Sequence, residues 1–137
     1  MEKKEIVIDG NNFSDLRGFA VEFGKKVFNE NYWGADHPLE EMFNFDMLED
    51  MLYGGGYGAP DEPFDIVWKN SKKSMEDLGS KETVKWLEAR LPYHTVPSNR
   101  DSFKKRIDLA KNGKGETLFD TIVEIINGPP FIELRLE

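Results

Sequence analysis

The stretch "PFDIVWKN", residues 63–70, decides how the rest of the chain is read. From Phe64 to Trp68 it is apolar except for Asp65, with proline before it and Lys69-Asn70 after it. A short apolar run without alternation reads as a mostly buried strand, the kind found where helices cover a parallel sheet. Upstream, Gly54-Gly55-Gly56, Pro60 and Pro63 punctuate the approach, and downstream Ser71–Leu78 reads as a helical turn or two ending at Gly79.

Two further strands flank this one at a distance. "KEIVID", residues 4–9, is a β-branched run closed by Asp9-Gly10, and "FIELRLE", residues 131–137, alternates with Ile132, Leu134 and Leu136 on one face. The strands are expected over about 4–9, 64–68 and 131–136, separated by long connections with helical patterns inside them. Asn11, Asn12 and Ser14 offer N-cap chemistry for a helix over 13–29, where Leu16, Phe19, Ala20, Phe23 and Val27 recur at helical spacing. Residues 30–43 read as a loop with a helical turn, and a second helix runs from about Asn44 to Tyr53. Residues 82–91 place Val84, Leu87 and Leu91 on one face, and Pro97–Asn99 punctuate before a basic segment. A last helix spans about 116–126, ended by Asn127-Gly128 and Pro129-Pro130. Connections of this length suit parallel strands joined by right-handed crossovers. The expected fold is therefore α/β, a small three-stranded parallel sheet packed by several helices, with Lys4–Asp9 as the central strand.

A chain of 137 residues with 39% hydrophobic content supports a single domain, 1–137, with a sizeable core. The 26 acidic against 18 basic side chains, a net charge of -8, disfavour direct nucleic-acid binding, which depends on Lys and Arg displacing counterions. Basic protein partners stay open. Cysteine is absent, which removes disulfides, thiolate metal sites and a cysteine nucleophile. No run approaches the length of a membrane span and no apolar signal core follows Met1-Glu2-Lys3-Lys4, so a cytoplasmic protein is expected.

The helix from Asn44 holds the sharpest chemical signal. Phe45, Leu48 and Leu52 fall at i, i+3 and i+7, the spacing of a buried stripe. Asp46, Glu49, Asp50 and Tyr53 share the opposite side. Like charges one turn apart destabilise an isolated helix by roughly 0.2–0.5 kcal/mol per pair. A solvated face is the plain account; the alternative is a repulsion retained for a cationic partner, with Tyr53 as a rigid aromatic contact. Other chemistry is poorly supported. Asp36, His37, Glu40 and Glu41 lack metal-ligand spacing in a chain with only two histidines, so neither a metal nor a cofactor is expected. Gly54–Gly58 precede the strand instead of following it and lack the GK[ST] signature of a phosphate loop. No Ser-His-Asp set can be assembled, and Asp46 with Asp50 is a weak candidate for acid–base work. Lys104, Lys105 and Arg106 read as a solvated helix face.

Taken together, "EIVIDG" at 5–10, "YWG" at 32–34, "NFDMLEDMLYGG" at 44–55, "FDIVWKNSKKSMEDLG" at 64–79 and the closing "FIELRLE" resemble the barstar family, intracellular inhibitors of barnase-type ribonucleases. The likeness covers most of the chain in the family's order. It implies a three-stranded parallel sheet with helices and no enzymatic activity. It also implies a 1:1 partner, a basic ribonuclease or nuclease toxin, blocked by the second helix in the manner of an immunity protein that is monomeric alone. The family pattern Asn-Leu-Asp-x-Leu-x-Asp falls on Asn44, Phe45, Asp46, Leu48 and Asp50. Tyr32 and Gly34 match the aromatic and glycine before that helix, Gly54 the glycine after it, and Glu116 a contacting acid at the start of the final helix. The partner-binding set is thus Tyr32, Gly34, Asn44, Asp46, Glu49, Asp50, Tyr53, Gly54 and Glu116. Three departures stand out. Residues 35–43 separate Gly34 from Asn44 where the family has one residue, Glu49 replaces a tryptophan, and the connection over 79–112 is much longer. These leave a rival reading, a protein-interaction or regulatory module of the same architecture without nuclease inhibition, and a weaker one, a carboxylate-based enzyme.

Overall fold

The structure, a computed structural model, describes residues 3–28, 45–53, 60, 62–93 and 95–137. Strands β1 (Lys4–Asp9), β2 (Phe64–Lys69) and β3 (Ile132–Leu136) form a parallel sheet in the order β1-β2-β3. Ile6 pairs with Ile66 and Ile66 with Leu134, so even-numbered residues of β1, β2 and β3 share one face. That face carries Ile6, Ile8, Phe64, Ile66, Trp68 and Ile132, all buried in the core.

The central strand is β2, not β1. Phe64 to Trp68 are buried without interruption, whereas β1 alternates between buried and partly covered positions and begins exposed. A strand hydrogen-bonded on both edges loses solvent on both sides, so the apolar run belongs in the middle. The odd-numbered face carries the charges around a buried Val67. Asp65 lies between Lys3 at 3.2 Å and Arg135 at 3.1 Å, and Arg135 reaches Glu5 at 2.7 Å, so one charge network crosses all three strands.

Among the described residues six helices accompany the sheet: α1 (Leu16–Val27), α2 (Phe45–Tyr53), α3 (Ser71–Asp77), α4 (Ser80–Arg90), α5 (Pro97–Lys111) and α6 (Leu118–Ile126). The expected N-caps Asn11, Asn12 and Ser14 do not start α1. Gly10–Asn12 forms a 3-10 turn, and Asp15 caps the helix by accepting from Gly18 N–H at 2.7 Å. Gly10 is required there, because a Cβ would stand 2.6 Å from the Asn70 carbonyl oxygen and 2.5 Å from Ser74 Oγ. Lys73 ties the same turn down, donating to the carbonyls of Gly10 at 3.0 Å and Phe13 at 2.6 Å.

Further along, Pro97–Asn99 open α5 instead of standing outside it, since proline at the first turn forfeits no helical hydrogen bond. The last helix starts at Leu118, two residues later than expected. Thr117 and Asp120 form a capping box that fixes this boundary and leaves Glu116 outside the helix. Trp68 organises the core: it stacks on Phe19 at 5.3 Å, meets Phe119 edge-on at 5.1 Å and donates its indole N–H to Ser74 Oγ at 3.0 Å.

Candidate functional site

Helix α2 divides as the spacing predicts. Leu48, Met51 and Leu52 are buried in the core and Phe45 packs half-buried against it, while Asp46, Glu49, Asp50 and Tyr53 are exposed. Met51 extends the buried side beyond the three positions read from sequence, at the place where Leu48 and Leu52 leave a gap between turns. The acids therefore stand on a rigid, anchored backbone.

Among the described residues Glu49 and Asp50 form no ion pair, whereas the acids of the sheet face do. Asp46 is exposed too, although it has an interaction within the chain. Tyr53 is 51% exposed, yet one edge of its ring meets Phe131 at 6.1 Å, and its hydroxyl lies where a Cβ on Gly128 would approach to 3.4 Å. Packing against the end of α6 and the segment entering β3 holds this ring while leaving half of it available. A ring restrained in that way loses little conformational freedom if it is covered by another protein.

Glu116 lies just before the cap of α6 and is exposed. Its carboxyl holds its proton more tightly than a free glutamate. Partial desolvation is the main cause, followed by a hydrogen bond and repulsion from Glu124 and repulsion from Asp120, with Arg106 opposing. The structure therefore surrounds Glu116 with the acids of α6. Tyr32, Gly34, Asn44 and Gly54 lie outside the described residues, as do Asp36, His37, Glu40 and Glu41.

The start of α2 rests on α4, the segment whose apolar face the sequence puts at Val84, Leu87 and Leu91. Phe45 meets Trp86 of α4 edge-on at 5.0 Å, and the Arg90 guanidinium lies 5.0 Å from the centre of the same indole. The buried side of α4 is Glu82, Thr83, Trp86 and Leu87, with Val84 and Leu91 only half-covered. Thr83, Trp86 and Leu87 sit at i, i+3 and i+4, so the buried stripe is turned from the expected Val84, Leu87 and Leu91 and shares only Leu87 with it. Both polar members of this stripe cap other helices. Glu82 accepts the Leu16 N–H at the start of α1 at 2.6 Å, and Thr83 Oγ1 accepts the Leu118 N–H at the start of α6 at 3.0 Å. Trp86 differs from Trp68: its indole N–H is buried and finds no acceptor among the described residues.

The described clefts lie elsewhere. One of about 580 Å³ runs along α1 beside Asn12, Arg17, Glu22 and Lys25, and a smaller one of about 110 Å³ is lined by Asp15, Arg17, Glu82 and Lys85. Neither involves Asp46 or Asp50. Among the described residues no three His, Asp or Glu side chains are grouped to hold a metal ion, and no helix is long and apolar enough to cross a membrane. No protein-family model matches the chain, and neither a curated protein nor a solved structure matches it.

Proposed function

We propose that this chain is a barstar-like, non-enzymatic inhibitor that binds a basic ribonuclease or nuclease toxin in the cytoplasm and covers its active site with the outward face of α2. The observation carrying this reading is the division of α2: Asp46, Glu49, Asp50 and Tyr53 face outward from a helix whose other side is fixed in the core. Carboxylates on such a helix stand in for the phosphate oxygens of RNA and pair with the Arg and Lys of a nuclease cleft through charge-assisted hydrogen bonds. The resemblance of residues 44–55 to the family's contact segment supports the same assignment.

The substitution of Glu49 for the family's tryptophan argues for a partner other than barnase. It exchanges an aromatic anchor for a further negative charge at the centre of the face, which suits a more strongly cationic cleft. Titration of the protein against a panel of basic microbial ribonucleases, followed by sedimentation and by residual RNA cleavage, tests the proposal. The expected result is a 1:1 complex with loss of cleavage for at least one nuclease. Complexes only with proteins that lack nuclease activity would replace inhibition with the interaction-module reading.

A further inference from the structure

We propose that Trp86 is a positioning residue for the acidic face: α4, in the long connection that departs from the family pattern, seats the first turn of α2 through the Phe45–Trp86 contact. The role as a determinant of partner binding rests on the function proposed above; the seating itself does not.

Three observations converge on this indole. Trp86 is 5% exposed and touches the residue that opens α2, directly before Asp46. Arg90, one turn further along α4, lays its guanidinium on the ring, so the indole is clamped between an aromatic edge and a cation. Its N–H finds no acceptor among the described residues, while the other buried indole, that of Trp68, is paired with Ser74. Among the described residues the indole is engaged through its ring, by Phe45 in one contact and Arg90 in the other. The rest of α2 is anchored along the core by Leu48, Met51 and Leu52, and its far end by Tyr53 against Phe131. Phe45 is half-buried, and its contact with Trp86 braces the opening turn against fraying.

Backbone hydrogen exchange on the free protein tests the seating without any partner. Trp86→Ala is expected to accelerate exchange in residues 46–53 at least about tenfold more than in β2 or α6, a local opening distinct from global destabilisation. Trp86→Phe, which keeps a ring and removes the orphan donor, is expected to restore α2 protection to within about threefold of the parent. Uniform acceleration across β2, α2 and α6 in Trp86→Ala would reduce Trp86 to general packing and overturn the proposal. Failure of Trp86→Phe to restore protection, with its other elements still protected, would overturn the ring-contact argument. Should Trp86→Ala fail to fold, Phe45→Ala provides the same comparison from the other side of the contact. With a verified nuclease partner, Trp86→Ala should raise the dissociation rate while Trp86→Phe leaves it near the parent. Selective α2 opening with no change in dissociation would retain the seating and reject its role in binding.

Discussion

Glu116 is the residue whose chemistry differs most from what its position in the sequence suggests. It stands outside α6, beside Glu124 and Asp120, and its folded pKa is raised above the ordinary 4.5 chiefly by desolvation. A raised carboxyl pKa favours folding below that ordinary value, and the contribution is lost as pH rises through the folded value. Ionised Glu116 therefore opposes folding at neutral pH. Glu116→Gln should raise the melting temperature at pH 7 and change it little at pH 4; a lower melting temperature at pH 7 would show that the carboxylate is stabilising. Asp9 runs the other way. Its carboxyl is held below 3.8, first by the Asn11 backbone N–H and then by the Asn70 side-chain amide, so it stabilises above that pH and loses the contribution as pH falls through its folded value. Asp9→Asn should accordingly flatten the acid limb of a stability–pH curve measured by denaturant unfolding.

The helix starts show how one element depends on another. The Leu16 N–H is capped by Glu82 of α4, a contact spanning 66 residues, and the Leu118 N–H by Thr83. Glu82→Ala leaves a buried backbone donor without an acceptor and should cost on the order of 1–3 kcal/mol in urea unfolding, more than Glu82→Gln, which keeps an oxygen in reach. Equal losses for the two variants would mean that charge, and not the acceptor, is what α1 needs. These caps also mark where the sequence stops being legible. The strands and the two-sided α2 follow from local apolar spacing, and the parallel arrangement from long helix-bearing connections, so all three are legible in the sequence. The central strand is not the expected one: Lys4–Asp9 is expected in the middle, whereas β2 holds that place, and its unalternated apolar run against the exposed start of "KEIVID" is the signal that separates them. The buried Glu82 was not readable, since a glutamate in the first turn of a helix ordinarily serves its own helix dipole and faces water. The Phe45–Trp86 contact joins residues far apart in the chain, and no local periodicity announces it.

At the scale of the molecule, charge is unevenly shared. Half of the 18 Lys and Arg side chains fall between residues 79 and 114, alongside only four of the 26 acids, which leaves the remainder of the chain strongly negative. That segment includes α4 and α5, with Lys104 and Lys105 exposed. For the cationic partner proposed above, the exposed acids of α2 are the attractive surface and the exposed lysines of α5 a repulsive one, which orients encounter as well as accelerating it. Association with such a partner should slow as salt rises, because screening beyond about 8–10 Å at physiological ionic strength removes the long-range component. A rate independent of salt would detach the acidic composition from recognition. The central claim, that the outward face of α2 is the contact surface, is tested most directly by comparing the affinities of Asp50→Ala and Lys105→Ala for a verified nuclease partner, with folding followed in parallel. Asp50→Ala should weaken binding by at least about 2 kcal/mol, mainly through faster dissociation, because partner cations are left buried and unpaired. Its stability should be unchanged or slightly higher, since repulsion with Asp46 one turn away is relieved. Lys105→Ala should leave affinity unchanged or slightly improved. Unchanged affinity in Asp50→Ala, with the complex otherwise intact, would contradict the assignment of α2 as the contact helix.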